Sequence, residues 1–146
     1  MQNISIIVGS QMGSAEYVAE QLQEVLEQHG LICTLHEQPK LDEINDHLWL
    51  ICTSTHGSGD FPDNIQEFVD SVDKKDSLSN IRYAVIGLGD SSYDQYNHAA
   101  SMIDQMIVEK GGERVIDRLE IDAQSEALPE DLALAWLPEY INKITN

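Results

Sequence analysis

Tyr83-Ala84-Val85-Ile86-Gly87-Leu88-Gly89-Asp90-Ser91-Ser92-Tyr93-Asp94-Gln95-Tyr96-Asn97 is the stretch on which the reading of this chain turns. An aliphatic run up to Ile86 suits a strand buried on both faces of a parallel sheet. Gly87 and Gly89 then let the backbone come close to something flat. Asp90, Ser91 and Ser92 offer hydrogen bonds, and Tyr93 offers an exposed ring. Taken alone, this is a loop after a strand. Two further loops of the same design give it meaning.

Working outward, apolar runs at Ile4–Val8, Leu31–His36 and His47–Ser54 read as strands one to three, and Ile81–Ile86 as strand four. Arg114–Ile121 alternates like an edge strand and makes the fifth. Between them the period changes to that of helices. Ala15, Val18, Ala19, Leu22, Val25 and Leu26 share one face, with Ser14 placed to cap the start and Gly30 the end. Ile65, Phe68, Val69 and Val72 mark a second helix, and Ala99, Met102, Ile103, Met106 and Ile107 a third. Leu132, Trp136, Tyr140 and Ile144 mark the last, with Pro129 in its first turn. The connection Pro39–Asp46 has room for a helical turn. Strict alternation predicts an α/β fold: a doubly wound, five-stranded parallel sheet with helices on both faces. Residues 1–146 are expected to form one domain.

Ligands of such sheets bind beyond the carboxyl ends of the strands, where the strand order reverses. In the order 2-1-3-4-5, the loops after strands one, three and four meet there, and these are the loops with the glycines. The same order puts strands two and three on either side of strand one. Cys33 and Cys52 are then ~9.5 Å apart, two strand spacings, which is too far for a disulfide. Free thiols are expected.

Composition narrows the function. Eight Lys and Arg against 26 Asp and Glu give a net charge of −18. That field repels phosphate backbones and anionic membranes, so nucleic acid is not an expected partner. It would draw in basic proteins or simply keep the chain soluble, and the two are compatible. No apolar run approaches the ~20 residues of a membrane helix. The chain enters a strand almost at once, without a basic stretch or cleavage pattern, so no signal peptide and a cytoplasmic location are expected.

The first loop, Gly9-Ser10-Gln11-Met12-Gly13-Ser14-Ala15, joins a central strand to a helix N-terminus. Free N–H groups and the helix dipole favour an anion there. Without a Gly-Lys-Ser/Thr ending it is not a Walker loop. With neither Lys nor Arg it suits a single phosphate held by neutral donors. The second loop, Ser54-Thr55-His56-Gly57-Ser58-Gly59-Asp60, puts the His56 ring at the tip of a central strand. No second His or Cys at ligand spacing supports a metal site. In the third loop Ser92 stands where a dinucleotide fingerprint needs its third glycine, and the loop follows strand four rather than strand one.

Together the three loops resemble those of flavodoxins and of the FMN domains of diflavin reductases. Gly9 to Glu16 is similar to the family's phosphate loop. Ser54 to Asp60 is similar to the loop on the inner face of the flavin, and Gly87 to Tyr93 to the loop bearing the outer stacking tyrosine. The order and spacing are the family's, and the pattern of strands and helices covers the whole chain. His56, the short length and the late Pro-Glu-Asp…Trp136 segment are most similar to the MioC-like flavodoxins.

The resemblance implies a flavodoxin-like sheet and FMN as cofactor. It places the phosphate on Ser10, Gln11, Met12, Gly13, Ser14 and Ala15. Ser54, Thr55, His56, Gly57, Ser58 and Gly59 would line the inner face. Leu88, Gly89, Asp90, Ser91, Ser92, Tyr93, Tyr96 and Asn97 would form the outer face, with Tyr93 stacked. Asp122 matches a position near the ribityl chain and phosphate. It implies a one-electron carrier, a small monomer working between a flavodoxin reductase and an acceptor enzyme with basic docking surfaces. Met12 stands where many members have Thr, and His56 replaces the usual Trp or Tyr. Both changes predict weaker FMN binding.

Two other readings use the same residues. A non-catalytic FMN-binding or regulatory module would need the same site. A hydrolase would use Ser91 as nucleophile, with His56 or His98 as base. Its Gly-Asp-Ser block should follow strand one, however, and no Gly-x-Ser-x-Gly elbow occurs. A phospho-receiver domain would need acidic residues where Gly9 and Ser10 stand.

Overall fold

The computed structural model describes residues 2–10, 12–56 and 58–145. Apolar runs make the central strands: β1 (Asn3–Gly9), β3 (Leu48–Ser54) and β4 (Arg82–Gly89) are buried almost throughout. β2 (Ile32–His36) is half exposed and lies at one edge. The other edge carries β5 (Glu113–Arg114) and β6 (Leu119–Asp122), both paired in parallel with β4. The order is β2-β1-β3-β4 and then this split edge, all parallel. Helices α1 (Ser14–Gln28), α2 (Gln66–Lys74), α3 (His98–Glu109) and α4 (Pro129–Thr145) complete the alternation.

The pleat divides the core in two. Ile4, Ile6, Val8, Leu50, Cys52 and Ile86 point to one face and pack on α1 and α4. Ile7, Trp49, Ile51, Tyr83 and Val85 point to the other and pack on α2 and α3. Adjacent residues of one strand thus serve opposite layers, as the period of two requires. Cys33 and Cys52 flank β1 and are free. Burial pushes their thiols up, to about 11 and about 12.

Four expectations need correction. The fifth strand is interrupted: between Tyr83 and Ile86 on β4 the partner runs from Arg114 to Leu119, two residues more than the pairing needs. The slack has a cause. Ile116 turns into the α1/α4 core, while Arg118 reaches over α3 to Asp104. Strand four runs on to Gly89, because both glycines accept the close approach of Asn97. Met102 leaves the buried face of α3, which Ala99, Ala100, Ile103 and Ile107 fill, and is 41% exposed. Ser14 does not cap α1: Gly13 precedes the helix with φ 87°, and no side chain caps its N-terminus. No helix among the described residues is long and apolar enough to cross a membrane.

Candidate functional site

At the carboxyl edge of the sheet, the loops after β3, β4 and β6 and the start of α1 enclose a cavity of about 390 Å3. Ser14, Ser54, Thr55, Leu88, Gly89, Asp90, Tyr93, Tyr96 and Asn97 line it, joined by Gln95, Ile121, Ala123 and Pro129. The first nine were expected from sequence. Gln95 lies on the same expected loop, whereas Ile121, Ala123 and Pro129 depend on where β6 ends beside β4, which no local pattern reveals.

The β4–α3 loop is held open by hydrogen bonds of its own. Asp90 Oδ1 accepts from the Ser92 N–H (2.9 Å), the Ser92 hydroxyl (2.6 Å) and the Gln124 amide (2.9 Å). Asp122 Oδ1 accepts from the Ser91 and Gln124 N–H groups, both at 3.0 Å. These bonds hold both carboxyls below the usual carboxylate range, the Ser92 and Ser91 contacts contributing most. Asp122 is therefore a clamp on the loop, outside the residues that line the cavity. Tyr93 rides on this clamped loop with its ring 66% exposed.

Asn97 starts α3 in the left-handed conformation (φ 52°) and is wholly buried. Neither its Oδ1 nor its Nδ2 makes a hydrogen bond of ordinary geometry among the described residues, although the amide lies close enough to the Tyr96 hydroxyl to act on it. A buried carboxamide without such bonds costs stability, so its place in a cavity wall is informative. Its backbone oxygen continues the helix by accepting from Ser101, and the Thr55 hydroxyl accepts from the Ala99 N–H. That last bond joins the loop after β3 to the first turn of α3.

The β3–α2 loop folds on itself. His56 and Asp60 exchange backbone hydrogen bonds at 2.8 Å, and Gly59 (φ 113°) lies against Gln95 and His98. The His56 ring and Ser58 are exposed, Ser58 beside Tyr93, Asp94 and Gln95. In the first loop the Gly13 N–H donates to Ser10 Oγ at 2.9 Å, Ala15 is buried, and Met12 is 91% exposed. Gln11 and Gly57 lie outside the described residues. Among the described residues the Ser91 N–H is taken up by Asp122, and no hydrogen bond joins Ser91 to His56 or His98. Glu16, Glu20 and Glu37 converge beside α1, where a hydrogen bond shared with Glu16, and then repulsion from it, raise the Glu37 carboxyl.

The chain belongs to the flavodoxin family, whose model matches residues 6–136. A MioC homologue from Haemophilus influenzae is 40% identical, over 95% of this chain and 97% of its own. The flavodoxin YqcA of Escherichia coli is 36% identical, over 96% and 97%. A solved variant of the Pseudomonas aeruginosa flavodoxin superposes with a TM-score of 0.93 at 31% identity, over 99% of this chain and 100% of its own. FMN is the cofactor of this family. The residues present fit it. A flavin ring edge offers both donors and acceptors, and the buried Asn97 carboxamide offers one of each.

Proposed function

We propose that this protein is an FMN-binding carrier that takes single electrons from a reductase and passes them to an acceptor enzyme. The observation that carries the reading is the buried Asn97 amide in the wall of the cavity between the loops after β3, β4 and β6 and the start of α1. FMN, once bound, supplies the one-electron chemistry. The chain supplies the rest. Ser10, Gln11, Met12, Gly13, Ser14 and Ala15 hold the phosphate end at the positive end of α1. Ser54, Thr55, His56, Gly57, Ser58 and Gly59 cover the inner face. Leu88, Gly89, Tyr93, Tyr96 and Asn97 form the outer wall, and Asp90, Ser91, Ser92 and Asp122 keep that wall in place.

Exposed Asp60, Asp63 and Asp94 lie on or next to the loops after β3 and β4, where they disfavour added negative charge in the site. They also steer basic partners, in a way that salt screens. The protein works as one domain and as a monomer, in the cytoplasm. The test uses FMN-loaded protein, a pyridine-nucleotide-dependent flavodoxin reductase and a one-electron acceptor. Turnover whose rate falls with salt, and falls further in Asp60→Asn/Asp94→Asn, supports the carrier. FMN binding without turnover would indicate a regulatory module instead.

A further inference from the structure

Asn64 sits in the 3-10 turn Asp63–Ile65, between the β3–α2 loop and α2, and is half-buried. Both donors and the oxygen of its carboxamide are engaged. Oδ1 accepts the Ser10 N–H at 2.8 Å. Nδ2 donates to the carbonyl oxygens of Val8 and Glu37, each at 2.8 Å. The amide orientation is fixed by chemistry, since a backbone N–H only donates and a carbonyl only accepts.

One side chain therefore ties together the end of β1, the first residue of the phosphate loop and the segment after β2. The anchoring continues inward. Ser10, held by Asn64, accepts the Gly13 N–H on its hydroxyl, and Gly13 in its left-handed conformation leads directly into α1. Gly9 is packed against Thr53 and Ile65, but Ser10 and Asn64 themselves face an open cleft of about 300 Å3, lined also by Gln38 and Asp63, where the hydrogen bond supplies the contact. None of these three Asn64 bonds reaches the β4–α3 loop, which carries Tyr93 and leads to Asn97.

We infer that Asn64 is the positioning residue of the phosphate loop, setting affinity for the phosphate end of FMN and not for its ring system. The inference rests on the FMN reading above, and the two fail differently. Binding of FMN, of riboflavin (the same ring without phosphate) and of inorganic phosphate as competitor is measured for wild type, Asn64→Ala and Asn64→Asp.

The Ala variant should bind FMN about tenfold or more weakly, as expected when two or three hydrogen bonds organising an anion site are lost. Its riboflavin affinity should stay within about twofold, a difference below that of one hydrogen bond. The Asp variant keeps the acceptor for Ser10 but loses both donors and adds charge beside the anion, so it should bind FMN worse than Ala. Equal weakening for both flavins, or none for either, overturns the inference. Hydrogen exchange at the Ser10 and Gly13 amides of flavin-free protein decides independently: it should accelerate in Asn64→Ala. If wild type takes up no flavin, the FMN reading falls, and unchanged exchange would overturn the anchoring as well.

Discussion

Gly87 and Asn97 pack with no space between them: a β carbon on the glycine would lie 2.7 Å from Asn97 Oδ1 and 2.6 Å from the Ala100 β carbon. The glycine is thus a hole into which α3 lowers its first side chain, and this seats the Asn97 carboxamide in the cavity wall. Gly87→Ala should destabilise the protein by about 1–3 kcal/mol, the range for overpacking a filled core. Urea unfolding measures this. The same variant should lose FMN affinity, because relief comes only by moving Asn97. Wild-type stability with wild-type binding would contradict the packing account.

A second prediction concerns acid. The Asp90 and Asp122 carboxyls titrate below their ordinary values because Ser92, Ser91 and Gln124 donate to the charged forms. A depressed folded-state value means the bonds contribute above the unfolded pKa and are lost as pH falls through the folded one. The Ser91, Ser92 and Gln124 amide resonances should therefore hold steady down to the ordinary carboxylate value of 3.8 and move only below it. In Asp122→Ala the Ser91 and Gln124 resonances should already be displaced at neutral pH. Movement centred above that value would show that the carboxylates do not hold the loop.

Asp104 predicts an asymmetry. It is 1% exposed and accepts from Arg114 Nε (2.9 Å), Arg118 Nη1 (2.6 Å) and the Tyr83 hydroxyl (2.6 Å). Removing both arginines strands a buried charge and should cost about 3–5 kcal/mol. Asp104→Asn lets the arginines, 34% and 27% exposed, turn to water and should cost only about 1–2 kcal/mol. Denaturant titration of the two variants gives the order, and the reverse order would refute it.

His36 gives a pH slope of different origin. The Ser5 hydroxyl donates to Asp46 Oδ2 (2.8 Å), so His36 Nε2 carries the hydrogen in its 3.3 Å contact with Ser5. Burial lowers the imidazole below 6.5, against the opposing pull of Asp46 and Glu43. The neutral ring is the favoured folded form, so stability is present above 6.5 and declines as pH falls through that value. His36→Gln should flatten the change in urea midpoint between about pH 7 and 5.5. An unchanged slope would assign it to other groups.

The strands, the loops and the position of the site could be read from the chain because each rests on local pattern. Unbroken apolar runs betray strands buried on both faces, and Gly and Ser clusters betray the loops between them. What escaped depends on partners far away in sequence. The break before β6 exists because Arg118 answers to Asp104 on another element. Met102 fits an apolar stripe, yet the pair Ala99–Ala100 rotates the buried face of α3 away from it. Asn64 is a polar residue in a turn, indistinguishable from a solvated one until Val8, Ser10 and Glu37 are brought around it. The resemblance put Asp122, after the fifth strand, near the ribityl chain and phosphate; its neighbours Ile121 and Ala123 line the cavity and it does not. Its oxygen is occupied by the Ser91 and Gln124 amides.

The most direct test of the central claim is a titration of the flavin-free protein with FMN, followed by visible absorbance and flavin fluorescence. The cavity, the seated Asn97 and the clamped Tyr93 predict saturable binding at one FMN per chain, with shifted absorption bands and quenched fluorescence. A spectrum identical to free FMN with the cofactor in large excess would contradict the account at its root.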